Sequence, residues 1–244
     1  LDKAGKKILY RIHESPTVEK IRALRDFLKS FGLKLGGGDA PQSKDYSKLL
    51  AQCMQRSEIN VIQTTMLRSL QQAVYTIDNK GHFGLAFSDY CHFTSPIRRY
   101  PDLLIHRALK ACIHSDNSYY NYRNSDLERL GEQCSMTERR AERSSRDAES
   151  WLKCDYMLDK IGQEFVGIIS SVTNFGLFVE LSDIFIEGLV HITELKGDYY
   201  HFDDVNHVLI GKRSGKSYRI GDKIKVLVAQ VNKDQRKIDF VLAS

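Results

Sequence analysis

The spacing of apolar residues changes near Gly162, and this change restricts the fold to a helical region followed by a β-rich region. Before Gly162, apolar residues recur every three to four positions over long stretches, which is typical of amphipathic helices. After it, apolar and polar residues alternate in five short segments, as in strands with one buried face. Five strands within about 80 residues predict a small barrel. We therefore predict an α+β chain divided into residues 1–162 and 163–244.

Five helices are predicted in the first region. Ser15-Pro16 and Ser43 are typical of helix starts, and Gly32 is typical of a helix end. Short aromatic stretches at residues 83–87 and 91–93 favour β-structure instead. The predicted helices cover residues 15–32, 43–56, 58–74, 101–113 and about 126–160.

The longest predicted helix has two contrasting faces. One face, formed by Ala141, Ser145, Ala148 and Leu152, consists mainly of small residues and permits close packing. Another face is basic and holds arginines 139, 143 and 146. These arginines have two open interpretations, which are contact with a polyanion or salt bridges to glutamates of the same helix.

The string from His92 to Arg107 places two adjacent arginines, Arg98 and Arg99, between two prolines. Pro96 disfavours helix at the preceding residue, whereas Pro101 fits the first turn of a helix. A fixed loop therefore leads into a helix start, where free N–H groups and guanidinium groups together suit a phosphate ligand. The alternative interpretation is a solvated arginine pair before an ordinary helix.

Three further polar residues of this string are expected to be structural. Asp102 lies in the first turn of the predicted helix, where a carboxylate caps the helix or pairs with an arginine. His92 and His106 could be metal ligands, but no matching Cys or His spacing accompanies them. We therefore expect both to be packed or hydrogen-bonded histidines.

Charge and cysteine content narrow the possible function classes. The net charge is +5, and residues 1–162 carry a surplus of six basic residues whereas residues 163–244 have one extra acidic residue. This imbalance suits a polyanionic partner such as nucleic acid. The chain lacks an apolar run of about 18 residues, so no membrane span is expected. Five cysteines without a C-x-x-C pair predict free thiols in a reducing compartment and hence a cytoplasmic protein.

Carboxylates that could hold catalytic metal ions are dispersed along the sequence. Two Mg²⁺ ions about 3.5–4 Å apart need several carboxylates close together. Asp203 and Asp204 are adjacent but fall in a loop of the predicted barrel, and four other aspartates stand alone: Asp89, Asp102, Asp147 and Asp155. We therefore predict no metal site in this chain.

Several of these motifs resemble one known family. The string from His92 to Arg107, preceded by residues 82–86, resembles the late part of the catalytic domain of the ribonuclease II and ribonuclease R family. Lys44-Asp45-Tyr46 and residues 138–155 match the same family, and the longer context favours its ribonuclease R branch. In the second region, residues 172–179 and 187–192 resemble the RNA-binding OB-fold of the ribosomal-protein S-one type. The resemblance covers nearly the whole chain.

The resemblance implies a processive 3′-to-5′ exoribonuclease that releases nucleoside 5′-monophosphates with Mg²⁺, and single-stranded RNA as its partner. The family holds its metal with a run of four aspartates, which this chain lacks. The chain is then the end of the catalytic domain followed by a five-stranded OB-fold barrel. It also begins at Leu1 without a methionine, from which we expect an interior segment.

The site residues expected from the resemblance and the residue patterns fall into two groups. Arg98 is the expected catalytic residue, since it would face the scissile phosphate and stabilise charge on its oxygens. Phe175 and Phe178 are three residues apart, and at least one ring should face outward to stack on bases, although both could be core residues. The expected RNA-binding residues are Arg99, Tyr100, Glu142, Arg143, Phe175, Phe178, His191, Asn232 and Lys237.

A second function class remains open at this point. The chain could be a free-standing, non-catalytic protein that binds single-stranded RNA and has lost the metal site. The coding DNA upstream of Leu1 distinguishes the two, because an in-frame aspartate cluster supports the enzyme and an adjacent start codon supports the binding protein. A charge-stabilising arginine favours the enzyme, since a protein that only binds RNA has little use for it.

Overall fold

The computed structural model describes residues 1, 4–56, 59–203 and 207–243, and the side chains of residues 60 and 61 lie outside this description. Two compact units can be distinguished. The first comprises Leu1–Ala23, Leu35–Leu49 and Leu67–Arg143, and the second comprises Leu24–Lys34, Leu50–Met66 and Ser144–Ser244. Within the described ranges, no helix has both the length and the apolar character needed to cross a bilayer.

All five predicted helices are confirmed: α1 (Val18–Lys29), α2 (Ser43–Cys53), α3 (Ile59–Ser69), α4 (Tyr100–Ile113) and α5 (Asn124–Leu158). Helix α1 begins after Thr17, whose hydroxyl accepts a hydrogen bond from the backbone N–H of Lys20 (3.4 Å). Helix α3 ends earlier than predicted because residues 74–76 form a strand instead. The helices follow the predicted periodicity, and the ends are set by local capping and by strand pairing.

A two-stranded antiparallel sheet and an apolar core organise the first unit. Strand β1 (Tyr10–Ile12) pairs with β2 (Val74–Thr76). Buried side chains from α4, from the start of α5 and from the segment before β1 pack together: Ile8, Leu9, Leu104, Ile105, Ala108 and Leu127. This core fixes α4 through its apolar face.

The β-structure predicted at residues 83–87 and 91–93 is wrong. Phe83–Leu85 forms a turn of 3₁₀ helix, and no strand covers residues 91–93. The backbone N–H of Gly84 donates a hydrogen bond to Nδ1 of the buried His13 (3.1 Å). A contact with a residue far away in sequence therefore overrides the local β-preference of the aromatic side chains.

The second unit contains the remaining strands: β3 (Glu164–Thr173), β4 (Gly176–Leu181), β5 (Glu187–His191), β6 (Tyr200–Asp203), β7 (Val208–Gly211), β8 (Ser217–Arg219), β9 (Lys223–Asn232) and β10 (Lys237–Leu242). Five of them close a barrel in the order β10-β5-β4-β3-β9, which confirms the predicted barrel. Only the β10–β5 pair is parallel. Alternate apolar side chains fill the interior, including Leu177, Val179, Val190, Val226, Val228 and Phe240.

Strands β6, β7 and β8 form a separate antiparallel sheet that the sequence pattern did not predict. Its loops are joined by Asp198, whose carboxylate accepts hydrogen bonds from the backbone N–H groups of Arg213 (2.9 Å) and Ser214 (2.6 Å). These bonds to Ser214 and Arg213 hold the pKa of Asp198 well below its usual range. The sheet is stabilised by contacts between distant residues, because each strand has only three or four residues.

Candidate nucleic-acid interface

A buried carboxylate fixes the loop that carries the two arginines. Asp102 is fully buried, and its Oδ1 accepts hydrogen bonds from the backbone N–H of Ser95 (2.7 Å) and from the Arg99 guanidinium (2.9 Å). The backbone N–H groups of Arg98 and Arg99 both donate to the Ser95 carbonyl (3.2 and 3.0 Å). Asp102 is thus an arginine partner, as predicted, and it ties both ends of the turn together.

The two adjacent arginines have different environments. The Arg99 guanidinium is committed to Asp102, and the Arg99 side chain is only 26% exposed. Arg98 is exposed and forms no salt bridge with any residue that the structure describes. The preceding Ile97 is fully exposed. The loop therefore leaves one arginine available to a ligand while the other maintains the loop conformation.

The neighbouring ring side chains have structural contacts. His92 Nδ1 lies 2.8 Å from the Tyr75 hydroxyl, and burial lowers the pKa of His92. The His106 ring stacks on Phe93 with centroids 4.4 Å apart, and its Nε2 lies 2.9 Å from the Phe93 carbonyl oxygen. The interpretation of both histidines as packed, hydrogen-bonded residues is therefore confirmed. The Tyr100 hydroxyl lies 3.3 Å from that of Tyr122, which sequence spacing could not show.

The described carboxylates do not fit a divalent metal. Within the described ranges, no three His, Cys, Asp or Glu side chains are grouped so that they could hold an ion. Asp89 accepts a hydrogen bond from Asn79, while Asp147 and Asp155 pair with Arg236 and Lys233. Asp204 of the predicted adjacent pair lies outside the described residues. No catalytic step through a metal can be assigned to these side chains.

One arginine of the basic face of α5, Arg143, lacks a salt bridge to any carboxylate that the structure describes. Glu138 pairs with Arg11 (2.6 Å), and Glu149 pairs with Lys153 (2.8 Å). Arg143 is exposed and has no carboxylate partner in the described part of the chain. For Arg143 the salt-bridge interpretation therefore fails, and the predicted RNA contact stays a prediction.

The small-residue face of α5 is exposed in the described structure. Ala141, Ser145, Ala148 and Leu152 are all exposed. Small side chains permit close packing but do not supply a partner element, so the packing that this face permits is not realised among the described residues. Glu142, the expected contact for a terminal nucleotide, lies in the same exposed stretch and stays a prediction.

Three of the predicted RNA-binding residues lie together on the barrel. Phe175 is 45% exposed, and its ring meets that of Phe178 edge-on with centroids 5.9 Å apart. Phe178 is half-buried on β4. His191 is exposed and pairs in register with Gly176, next to Phe175. The expectation of an outward-facing ring is confirmed for Phe175.

The other two barrel residues lie at a different end of the same outer face. Asn232 and Lys237 face each other across the β9–β10 pair. The parallel pairing of Asp239 with Leu189 places Lys237 level with Glu187, which begins β5, whereas His191 ends it. Four residues of strand separate the two positions by about 13 Å. The barrel face can therefore contact successive nucleotides of a strand.

Sequence reasoning missed one aromatic group, which lies beside Lys233. The Trp151 ring on α5 is 44% exposed, and the Lys233 ammonium lies 4.2 Å from its centroid. Lys233 also pairs with Asp155 (2.6 Å). Trp151 is the single tryptophan of the chain, but its position depends on a β9–β10 hairpin that lies about 80 residues away in sequence.

Comparison with known protein families identifies the types of domain in the chain. Residues 1–115 match the RNB domain, and residues 158–242 match the S1 RNA binding domain. The chain therefore combines the helical end of an RNB domain with an RNA-binding β-barrel.

Individual proteins that are similar to this chain narrow the comparison further. Ribonuclease R of Escherichia coli is 48% identical over a 253-residue alignment that covers all of this chain and 31% of that protein. The structure of Mycoplasma genitalium RNase R in complex with ribose methylated single-stranded RNA superposes with a TM-score of 0.88 at 27% identity, covering the whole chain and 39% of that protein. The chain is similar to ribonuclease R over its whole length and spans about a third of the length of the curated relatives it matches.

A further structural relative lies outside that group. Yeast Ssd1, described as a pseudonuclease, superposes with a TM-score of 0.71 at 25% identity over 94% of this chain and 27% of its own length. The same architecture therefore occurs in a protein described as a pseudonuclease.

Proposed function

We propose that this chain is the RNA-binding C-terminal portion of a processive 3′-to-5′ exoribonuclease that hydrolyses RNA to nucleoside 5′-monophosphates with Mg²⁺. The observation that carries the proposal is the exposed Arg98 on a loop held by the buried Asp102. An RNA-binding protein needs no such fixed arginine, whereas hydrolysis benefits from a positioned cation. The 48% identity to Escherichia coli ribonuclease R supports the same conclusion.

In this proposal Arg98 is the catalytic residue of the segment. Its guanidinium donates hydrogen bonds to the non-bridging oxygens of the scissile phosphate and stabilises the charge that develops there. Arg99 positions Arg98 through Asp102 and contacts the RNA backbone with its exposed edge. Bound Mg²⁺ would activate the attacking water, and its ligands come from outside the described residues, because these do not form a metal site.

The remaining predicted residues form the RNA-binding surface. Tyr100 and Arg143 contact the strand, and Glu142 holds its terminal nucleotide. Bases stack on Phe175 and Phe178, while His191, Asn232 and Lys237 contact sugar and phosphate. Stacking does not distinguish bases, so the surface accepts single-stranded RNA of any sequence.

We assign residues 1–162 to the catalytic domain and residues 163–244 to the barrel domain. The family matches over residues 1–115 and 158–242 support this division. We also place the protein in the cytoplasm, a reducing compartment that suits its five free cysteines.

The test compares the complete protein with the present chain. An end-labelled single strand is incubated with each, with Mg²⁺ or Mn²⁺, and the products are identified by mass spectrometry. The complete protein should release nucleoside 5′-monophosphates from the 3′ end. The 244-residue chain should release none, because an arginine neither lowers the pKa of water nor positions it for attack. Metal-dependent release of nucleoside 5′-monophosphates by the chain alone would contradict this expectation.

The alternative function is a non-catalytic protein that binds single-stranded RNA. The likeness to the yeast pseudonuclease Ssd1 favours it, as does the lack of a metal-binding group in the described part of the chain. The cleavage experiment distinguishes the two functions, because a complete protein that only binds RNA would bind the strand and release no monophosphates. An in-frame aspartate cluster encoded upstream of Leu1 would support the enzyme.

A further inference from the structure

A cavity of about 630 Å³ lies beside α4, further along the helix than the Arg98 loop. Its walls come from one face of α4 and from the tyrosine-rich segment 118–122. The volume is within the range of about 300–1,000 Å³ that is typical of small-molecule sites. The lining residues include Arg107, Lys110, Tyr119, Asn121 and Tyr122, and we call this cavity the Arg107 pocket.

The pocket carries positive charge without a compensating carboxylate. Arg107 and Lys110 are three residues apart on α4 and therefore share a face. Arg107 donates a hydrogen bond to the Tyr122 hydroxyl (2.8 Å) and lies over the Tyr100 ring, 6.0 Å from its centroid. No acidic residue lines the cavity, and neither Arg107 nor Lys110 pairs with a carboxylate in the described ranges.

The acidic residues on either side of the segment 118–122, Asp116 and Asp126, accept hydrogen bonds from groups outside α4. Asp116 accepts hydrogen bonds from the backbone N–H and the hydroxyl of Ser118 (both 2.8 Å). Asp126 accepts one from the backbone N–H of Arg123 (3.2 Å). Two cations thus face a cavity whose hydrogen-bonding partners are neutral, which makes the pocket a site for an anion.

The opposite wall of the pocket offers a flat apolar surface. Tyr119 is 44% exposed, and its ring is braced by His114 with centroids 5.6 Å apart. Asn121 adds an exposed amide that can both donate and accept hydrogen bonds. An aromatic face next to two cations matches a ligand that has both a planar base and a phosphate.

We propose that the Arg107 pocket binds a nucleoside phosphate, with the phosphate at Arg107 and Lys110 and the base on Tyr119. The ligand has two possible sources, which are a free nucleoside monophosphate and one nucleotide of a bound RNA strand. A purely structural role for Arg107, bracing Tyr100 and Tyr122, accounts for neither the open cavity nor Lys110. The site is separate from the Arg98 loop and does not depend on exoribonuclease activity.

Isothermal titration of the 244-residue chain tests the proposal with three probes: adenosine 5′-monophosphate, adenosine, and a single-stranded adenylate trinucleotide. Lys110→Ala should weaken binding of the phosphate-containing probes about 5- to 30-fold, because it removes one charge-assisted hydrogen bond. Tyr119→Ala should weaken it at least about fivefold through the lost stacking, whereas Tyr119→Phe should retain it. Lys48→Ala is the matched control, since Lys48 is exposed on α2 outside the pocket.

The three probes distinguish a site for free nucleoside monophosphates from a site for one nucleotide of a bound RNA strand. Monophosphate binding that depends on Lys110 shows a site for free nucleotides, and binding of the trinucleotide alone shows a site for the strand. Equal binding of adenosine and its monophosphate would overturn the proposal, and so would equal effects of Lys110→Ala and Lys48→Ala. The lack of saturable binding by every probe would also overturn it. Circular dichroism verifies that each variant is folded, and loss of cleavage in the complete protein would leave these titrations unaffected.

Discussion

We propose that the Arg98 loop and the outer face of the barrel both contact RNA, but the two regions hold their exposed groups by different means. In the loop, one buried carboxylate binds a backbone N–H and the neighbouring guanidinium, so the position of Arg98 depends on Asp102. On the barrel, strand alternation alone turns Phe178 and His191 outward. A group that must meet a reacting phosphate requires fixed geometry, whereas stacking on bases tolerates small displacements. We therefore expect substitutions in the loop to change the stability of the protein and the rate of cleavage. Substitutions on the barrel should change the affinity for RNA.

The largest effect is expected from removing the carboxylate that fixes the loop. Asp102→Ala leaves the Ser95 N–H and the partly buried Arg99 guanidinium without their acceptor, which should lower the free energy of unfolding by about 3 kcal/mol. Urea denaturation of the chain measures this loss. Asp102→Asn keeps an acceptor of the same shape and should lose less. A loss below about 1 kcal/mol for the alanine variant would mean that the loop does not depend on Asp102.

The next effect concerns the rate of RNA cleavage that we propose for the complete protein. Arg98→Ala should lower the cleavage rate about 10²- to 10³-fold with a much smaller loss of RNA affinity, as expected for a group that acts in the transition state. Single-turnover kinetics and equilibrium binding separate the two quantities. If rate and affinity fell in equal proportion, by the amount typical of one phosphate contact, Arg98 would be a binding residue and the contrast with the barrel would disappear.

Barrel variants should affect affinity and leave the fold intact. Phe175→Ala combined with Phe178→Ala should weaken binding of a short single strand by about 1–3 kcal/mol for each stack that is lost. Fluorescence anisotropy measures the affinity, and circular dichroism verifies the barrel. Phe185→Ala is a suitable control, because Phe185 is 67% exposed in the same unit but lies outside the Phe175–Phe178 pair. Unchanged affinity in a folded double variant would exclude stacking.

The parts of the molecule that local pattern determines could be predicted from the sequence. The helices follow apolar periodicity, and the barrel strands follow alternation, so both were predicted to within a few residues at most ends. Asp102 as a partner of Arg99 was also predictable, since the two residues are three apart at a helix start. An outward-facing ring at Phe175 or Phe178 was expected from their spacing on a glycine-containing segment, and Phe175 is the exposed one.

Features that depend on distant partners could not be predicted. Strands β6, β7 and β8 have three or four residues each and are joined through Asp198, which acts on residues 15 and 16 positions later. The turn at Phe83–Leu85 depends on His13, about 70 residues earlier in the chain. The hydrogen bond from Arg107 to Tyr122 likewise joins α4 to an irregular segment, where no periodicity indicates which side chains meet.

The smallest effect is expected for Arg143, which should act as a simple phosphate contact, unlike the Arg98 loop and the outer face of the barrel. Arg143 is exposed and forms no salt bridge with the described residues, so its contribution to RNA binding should be mainly release of counterions. Arg143→Ala should therefore reduce the slope of log affinity against log salt concentration by about 0.7 for a single strand, with little change in cleavage rate.

Arg68→Ala is the matched control, because it removes the same charge from an exposed position of α3. Binding titrations at several salt concentrations measure both slopes. Equal slopes for the two variants would show that Arg143 acts only through net charge, whereas a fall in cleavage rate comparable to that of Arg98→Ala would place Arg143 with the Arg98 loop.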